Sequence, residues 1–222
     1  MAKKQKVKAI ATPARARKIL DVLEKTHPDA RIFLNFENPF QLLVVTILAA
    51  QCTDEKVNQV APGLFERYPD PARLAAATSE EVEAMIRPLG TFRRKAQSVQ
   101  ACARAIVEEH GGRVPADVDE LTKIRGIGRK TANLVLGAAF GGKAIAVDTH
   151  VFRVTNRLGL ADSRYPDKVE QQLCRIIPEE RRTRATLVLG THGRRICTAR
   201  KPACDGCPVS KLCDFYSEAR SA

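Results

Sequence analysis

The sequence predicts an all-α protein. Apolar residues recur at helical spacing along most of the chain, alternating strand patterns are scarce, and prolines and glycines fall where helices begin and end. With 222 residues, 44% of them hydrophobic, the chain is long enough to bury a core without disulfide bonds. The longest apolar run, 42–50, includes Thr46 and is much shorter than the ~20 residues that span a bilayer, so it predicts a buried helix and no membrane segment.

The first half of the chain contains five predicted helices. Thr12-Pro13 is a cap followed by a first-turn proline and starts the first helix, and Asn38-Pro39 starts the second in the same way. Thr53 opens the third helix, whose apolar residues share one face. Ser79 opens a short fourth helix, and Gly111-Gly112 ends the fifth with a typical glycine stop signal.

Helical patterns continue in the second half, at 117–124, 129–140, 149–158, 167–177 and 183–193. No Ser/Gly linker, repeat or low-complexity segment separates these helices, so composition alone predicts no domain boundary.

Basic residues outnumber acidic residues by 37 to 25, which gives a net charge of +12 and favours a polyanionic partner. Residues 1–20 and 181–201 each contain seven Lys or Arg and no acid. A solvated basic tail is the simpler interpretation of the first stretch, which includes Lys3, Lys4, Lys6 and Lys8. No apolar segment with a cleavage site follows these lysines, so we predict no secretory signal and expect a cytoplasmic protein.

Two glycines two positions apart, Gly126 and Gly128, mark the most informative turn in the sequence. Glycine permits positive φ and a tight turn, and we expect Ile127 between them to point into the core. The next helix begins with N–H groups that lack helical partners, which makes a phosphate site that needs no base contact. Four basic residues surround it, Lys123, Arg125, Arg129 and Lys130. An ordinary turn between two helices is the alternative interpretation.

Four of the seven cysteines form the pattern Cys197-x6-Cys204-x2-Cys207-x5-Cys213. In a reducing compartment, clustered cysteines bind metal more often than they form disulfides. A zinc ribbon would show two close pairs, and only Cys204 and Cys207 form one, so the spacing favours an iron-sulfur cluster but leaves zinc open. The remaining cysteines, Cys52, Cys102 and Cys174, are expected to be buried apolar residues.

Lys130 falls in the first turn of a predicted helix, beside the positive end of the helix dipole and three other basic residues. Both effects disfavour the charged amine, and a neutral amine is a nucleophile. Asp148 directly precedes the helix at 149–158, where a carboxylate is typical of an N-cap. A fixed carboxylate can also stabilise a cationic sugar or accept a proton. A surface lysine and a plain helix cap are the alternatives that these residues leave open.

The segment 121–139 resembles the helix-hairpin-helix motif of base-excision DNA glycosylases, and with Lys130 inside it the segment is most similar to the endonuclease III family. Further similarity lies, in the family's order, in Leu48–Asp54, the turn at 90–96, Ala146–His150 and the cysteine tail, so it covers about residues 12–217. The resemblance implies a two-lobed helix-hairpin-helix DNA glycosylase fold. A six-helix domain at 33–142 would contain the motif at about 117–140, and residues 1–32 and 143–222 would form an iron-sulfur cluster domain.

The resemblance also implies a function: a bifunctional DNA glycosylase and abasic-site (AP) lyase that excises oxidised pyrimidines from duplex DNA in base excision repair. Lys130 would attack the sugar C1′ and form a Schiff base that permits β-elimination, with assistance from Asp148. The four clustered cysteines would hold a 4Fe-4S cluster. Gly126, Gly128 and Arg129 would bind DNA phosphate, as would Arg200 and Lys201 in the loop between the first two cysteines.

A damaged base inside a duplex must be flipped out to reach Lys130, and the vacated stack needs to be filled. The resemblance places Gln51, at the break between two helices, in this gap. The opposite wedge departs from the family pattern, because Thr91 stands where an aliphatic residue is expected and Phe92 is the adjacent bulky side chain. Either Thr91 or Phe92 would therefore intercalate.

Three other functions fit parts of the sequence. A monofunctional adenine glycosylase would lack a lysine at position 130 and carry a further C-terminal domain. A non-catalytic, redox-sensing iron-sulfur protein that binds DNA would need the charge and the cysteines but not Lys130 and Asp148, and an electron carrier would not need the hairpin. We expect a monomer whose partner is duplex DNA with a damaged base or abasic site, located in the cytoplasm, at the nucleoid if bacterial.

Overall fold

Helices make up the regular structure of the protein. The computed structural model describes residues 10–221, and within this range there is no β-strand, which confirms the all-α prediction. The lysines at positions 3, 4, 6 and 8 lie outside the described residues. The described helices are α1 Pro13–Thr26, α2 Pro39–Leu48, α3 Asp54–Arg67, α4 Pro71–Ala76, α5 Ser79–Ile86, α6 Phe92–His110, α7 Val118–Lys123, α8 Arg129–Phe140, α9 Thr149–Leu158, α10 Pro166–Ile176, α11 Arg182–Arg195 and α12 Asp214–Ser221.

Side-chain caps fix where many of these helices begin. The Asn38 side chain accepts a hydrogen bond from the Gln41 N–H at 2.9 Å, and the Thr12 and Thr53 hydroxyls accept in the same way at α1 and α3. The helix α5 begins at Ser79, as predicted, and Thr78 is its N-cap. Thr78 and Glu81 form a reciprocal capping box, which satisfies two backbone donors at the start of the helix.

One compact unit comprises residues 32–142 and contains α2 to α8. Its centre is α2, which contacts α3, α6 and α8 and buries residues on most of its circumference, as a helix with an almost continuous apolar sequence must. The short helices α4 and α5 pack on α6, and α7 packs on α8. No helix in the described part of the chain is long and apolar enough to cross a membrane.

The second unit joins two separate parts of the chain, 10–31 and 143–221 in the described range. Its core forms where α9 packs on α11 and α1 packs on α10 and α11. The buried apolar stripe of α1 consists of Ala16, Ile19, Leu20 and Leu23, as its periodicity predicts. The cysteine segment follows α11 and leads into α12, so this unit carries all four clustered cysteines.

Candidate active site and cluster site

The glycine turn between α7 and α8 has the predicted conformation. Gly126 has φ +92, which L-residues with a side chain rarely adopt, and Ile127 is buried at 4% exposure. Gly128 precedes α8 as its N-cap and offers no side-chain cap. The first helical hydrogen bond of α8 runs from the Ala132 N–H to the Gly128 carbonyl at 3.0 Å. As at any helix start, the N–H groups of the first turn of α8 lie before this first helical bond and point toward the Gly128 end of the helix.

Gly128 has an ordinary φ of −86, and a Cβ built on it would meet no protein atom within 4 Å. Neither conformation nor internal packing therefore requires glycine at this position. Because Gly128 has no side chain, the start of α8 is accessible from solvent. This is the property that a phosphate contact to backbone N–H groups needs.

Lys130 is exposed in the first turn of α8, directly after this opening. Of the basic residues around the turn, Lys123 donates a hydrogen bond to Glu120 at 2.5 Å, and this bond raises the pKa of Lys123. Lys123 is therefore partly neutralised by its own helix. Arg125 and Arg129 are also exposed.

Asp148 is the N-cap of α9 and is half-buried in the second unit. Its Oδ1 accepts hydrogen bonds from the backbone N–H groups of His150 at 2.9 Å and Val151 at 2.7 Å. The other carboxylate oxygen, Oδ2, takes no part in these two bonds. The cap therefore fixes the orientation of the carboxylate through one oxygen.

Two residues of unit 32–142 adopt left-handed backbone conformations. Gln51 and Thr91 both have φ of +54, and they are the only non-glycine residues in 10–221 with positive φ. Gln51 is exposed between α2 and α3, and Thr91 is exposed directly before α6. Such conformations cost about 1–3 kcal/mol each and concentrate at functional sites.

Thr91 and Phe92, the two candidates for the second intercalating residue, differ in exposure and packing. Thr91 makes no side-chain cap bond to α6, although threonine is a good N-cap residue. Phe92 is half-buried and packs against the core of its unit, and the Arg93 guanidinium lies 5.5 Å from the centroid of its ring. Thr91 is thus exposed before α6, whereas the Phe92 side chain is partly taken up by packing against the core.

The four clustered cysteines line one cavity of about 320 Å³, measured with the space that opens to solvent. Apolar side chains form much of the remaining wall, among them Leu158, Ile196, Pro202 and Phe215. No three His, Cys, Asp or Glu residues within 10–221 converge closely enough to hold a single metal ion. Four thiols spread around an apolar cavity are instead suited to a cluster of several atoms, in which each sulfur binds a different iron.

The chemistry of these thiols fits a cluster as well. Burial raises the pKa of Cys207 and of Cys213, and the neighbouring thiols raise it further. A cluster ligand must be a thiolate, so these cysteines need the positive charge of bound metal to lose their protons. Cys197, Cys204, Cys207 and Cys213 would hold the 4Fe-4S cluster.

The other three cysteines are not a uniform group. Cys102 is buried, and burial raises its pKa to about 12, as expected of an inert core residue. Cys52 and Cys174 are only half-buried, so the expectation of full burial is wrong for these two. Both nevertheless pack against a hydrophobic core.

Two arginines of α9 hold the cysteine segment, and sequence reasoning missed both. Arg157 donates to the carbonyls of Thr198 at 2.7 Å and Ala199 at 2.8 Å, and Arg153 donates to the carbonyl of Cys197 at 3.0 Å. These bonds join residues about forty positions apart, so no local sequence pattern predicts them. Their only sequence signal is two arginines spaced one helical turn apart.

The basic stretch 181–201 divides into two parts. Arg181 pairs with Asp21 and Glu24, Arg184 donates to the carbonyls of His27 and Ala30, and Arg195 binds both oxygens of Asp29 at 2.9 and 2.6 Å. The bond from Arg195 lowers the pKa of Asp29 to about 2. These three arginines therefore secure α1 and the segment that follows it. Arg200 and Lys201 are exposed in the cysteine segment.

Two family models match the chain. One covers the glycine turn before the exposed Lys130, and the other covers the segment with the four clustered cysteines. The model for HhH-GPD superfamily base excision DNA repair proteins matches residues 44–179. The model for the iron-sulfur binding domain of endonuclease III matches residues 197–213, which begin and end at a cysteine of the cavity.

Similarity to curated proteins extends over nearly the whole chain. Endonuclease III from Synechocystis sp. is 46% identical over 90% of this chain and 91% of its own length. The chain belongs to the endonuclease III family. Endonuclease III from Rickettsia conorii is 42% identical over 90% of this chain and 95% of its own length.

A solved structure shows the same endonuclease III fold. The structure of a trapped covalent intermediate of endonuclease III with DNA, an estranged-adenine complex, is 42% identical in sequence. It matches this protein with a TM-score of 0.88 and covers 95% of this chain and 100% of that chain.

Proposed function

We propose that this endonuclease III family member, a DNA glycosylase and AP lyase of base excision repair, excises oxidised pyrimidines from duplex DNA with Lys130 as its nucleophile. The observation that carries the proposal is an exposed amine in the first turn of α8, behind a glycine N-cap with no atom near its missing side chain. The solved relative at 42% identity supports covalent chemistry, since it is a trapped covalent intermediate with DNA.

The Lys130 amine attacks C1′ of the damaged nucleotide, and a carbon–nitrogen bond forms as the glycosidic bond breaks and the base leaves with its electron pair. Loss of the amine proton and opening of the sugar give an imine between Lys130 and C1′. The imine acidifies the C2′ proton. A base takes this proton as the C3′–O bond breaks and the 3′ phosphate leaves with its electron pair, which nicks the strand, and water then hydrolyses the imine and frees the Lys130 amine. The Asp148 carboxylate stabilises the positive charge that develops on the sugar and accepts a proton from the amine.

The exposed turns of unit 32–142 support a role in holding the flipped state. Gln51 fills the space that the base leaves, and Thr91 enters the stack from the second turn, with Phe92 as its packed support. Gly126, Gly128 and Arg129 contact phosphate near α8, and Arg200 and Lys201 contact it from the cysteine segment. We expect the protein to act as a monomer on duplex DNA, in the cytoplasm and, in a bacterium, at the nucleoid.

Borohydride trapping tests the nucleophile directly. The wild-type protein should form a covalent adduct with duplex DNA that contains one oxidised pyrimidine, and Lys130→Ala should form none. Lys123→Ala is the matched control, because Lys123 lies near the same turn and pairs with Glu120. Equal trapping by Lys130→Ala would assign the chemistry to another amine.

Lesion preference needs its own experiment. Single-turnover rates on a panel of duplexes, each with one defined damaged base, should be highest for oxidised pyrimidines. An abasic duplex separates the two steps, because it needs the lyase step alone. Faster excision of an alkylated purine than of any oxidised pyrimidine would refute the proposed substrate class.

A further inference from the structure

Two buried histidines form a chain that ends at one of the cluster cysteines. His27 is the C-cap of α1, and His192 lies on α11. The His27 Nε2 atom is 3.2 Å from His192 Nδ1, and His192 Nε2 is 3.6 Å from the Cys207 sulfur. The rings meet edge to face, and neither residue is more than 2% exposed.

Backbone bonds hold this chain in place at both ends. The His192 carbonyl accepts the N–H of Cys197 at 2.9 Å, so one residue contacts two of the four cysteines. The His27 carbonyl accepts from the Arg184 guanidinium at 2.9 Å, which fixes the end of α1 against α11. The backbone is therefore fixed at both histidines, and burial leaves their rings little room to turn away from each other.

The positions of the ring protons follow from the acceptor at the end of the chain. A cluster-bound Cys207 thiolate has lone pairs and no proton, so His192 Nε2 must carry the hydrogen of that contact. In a neutral ring the other nitrogen, Nδ1, is then an acceptor. It faces His27 Nε2, which must carry the second hydrogen. The two ring nitrogens that face each other at 3.2 Å need one donor and one acceptor, so the two rings cannot both be doubly protonated.

We propose that His192, oriented by His27, donates a hydrogen bond to the Cys207 sulfur and thereby raises the reduction potential of the 4Fe-4S cluster. Reduction adds negative charge to the cluster, and a donor on a ligand sulfur stabilises that charge. His27 is a positioning residue. By donating to Nδ1 it holds His192 in the one tautomer that places a hydrogen toward the sulfur.

Cyclic voltammetry of the cluster-loaded protein tests this assignment. His192→Phe keeps a buried ring but removes the donor, and the oxidised-to-reduced ratio at a fixed potential should rise about threefold or more. For a one-electron couple this is a shift of about 28 mV to lower potential. His110→Phe is the control, since His110 lies in the other unit. The cluster in this variant should have the wild-type reduction potential.

His27→Phe separates positioning from packing. Without the donor from His27, His192 can place its hydrogen on Nδ1 and present a lone pair to the sulfur, so the potential should fall as it does in His192→Phe. In the double variant, the reduction potential of the cluster should be no lower than in His192→Phe alone. His192→Gln, whose amide can occupy the Nε2 position, should restore part of the lost potential. Wild-type potentials in both phenylalanine variants would overturn the proposal.

One measurement needs no substitution. Long-range nitrogen–proton NMR correlations on the loaded wild-type protein report which ring nitrogen carries the hydrogen. We expect the Nε2–H tautomer at both His27 and His192. An Nδ1–H tautomer at His192 would overturn the proposal even if the variants fail to retain the cluster.

Discussion

The Arg157 guanidinium lies 4.7 Å from the centroid of the Phe215 ring, so an arginine of α9 stacks on the first turn of α12. The same guanidinium donates to the carbonyls of Thr198 and Ala199. One side chain thus joins both ends of the cysteine segment. A planar group with several donors is needed for this, because lysine cannot stack and donate in two directions at once.

Replacing Arg157 with lysine should loosen the cysteine segment while keeping its charge. The loss of hydrogen bonds from a charged donor is expected to destabilise the segment by about 2 kcal/mol. The measurement is the rate at which cluster absorbance disappears when an iron chelator is added, and it should increase at least tenfold. Arg175→Lys is the control, because Arg175 is an exposed arginine on α10, and equal rates in the two variants would contradict the role of Arg157.

Substitutions at Asp148 should separate helix capping from catalysis. Asp148→Asn retains a good N-cap, so thermal unfolding should change little, whereas removal of the charge should lower single-turnover excision at least 100-fold. Asp148→Ala removes both functions and should also cost about 1 kcal/mol of stability. If Asp148→Asn excises bases at the wild-type rate, Asp148 is a structural cap only.

The basic residues of 181–201 should contribute unequally to DNA binding. Lys201→Met should lower the dependence of log affinity on log salt by about 0.9, as expected for the loss of one phosphate contact. Arg195→Met should leave that dependence unchanged, because Arg195 is occupied by Asp29. Fluorescence anisotropy of labelled duplex across a salt series measures both. If Arg195→Met lowered the salt dependence and Lys201→Met left it unchanged, the DNA would contact the surface around Arg195 and not Lys201.

Lys95 should reduce stability at neutral pH. It is buried on α6 at 4% exposure, its amine has no hydrogen-bond partner, and burial lowers its pKa, an effect that nearby Cys52 opposes. Lys95→Met keeps the shape and removes the buried charge, so the free energy of unfolding at pH 7 should rise by about 1–3 kcal/mol. Chemical denaturation measures this change.

The pH dependence of Lys95 has a definite sign. Between the lowered folded-state pKa and the unfolded value near 10.5, the unfolded chain binds more protons, so wild-type stability rises relative to Lys95→Met as pH increases through this window. The exposed Lys56→Met control should stay within about 0.5 kcal/mol of the wild type. A destabilised Lys95→Met variant at pH 7 would show that Lys95 supports the fold.

Helix positions were largely predictable because capping and periodicity are local. The expected helix at 129–140 coincides with α8, and the one at 149–158 coincides with α9. The six-residue α4 was missed because it is too short to show a period, although Asp70-Pro71 carries the same start signal as Thr12-Pro13. The helix α12 was missed because its eight residues are too few to show a clear helical period.

The site was predictable only where chemistry is carried by a local motif. The glycine turn, the capping aspartate and the cysteine spacing are short patterns, and each is placed by its own helix or loop. The arginines that secure the cysteine segment act over long sequence distances, as does the contact between His27 and His192. Charge counting misled at Arg181, Arg184 and Arg195, because their acidic and carbonyl partners belong to α1 and the segment after it, not to the same stretch.

The pairing of α1 with α10 and α11 has a consequence for biosynthesis. The ribosome makes α1 before 32–142, but the helices that cover its apolar stripe are made only after that unit. That middle unit can fold while translation continues, whereas the apolar stripe of α1 stays exposed until α10 and α11 emerge. The cysteine segment is therefore synthesised after α1 to α11, and a chain truncated before α10 would contain all seven helices of unit 32–142 but none of the helices that cover the stripe of α1.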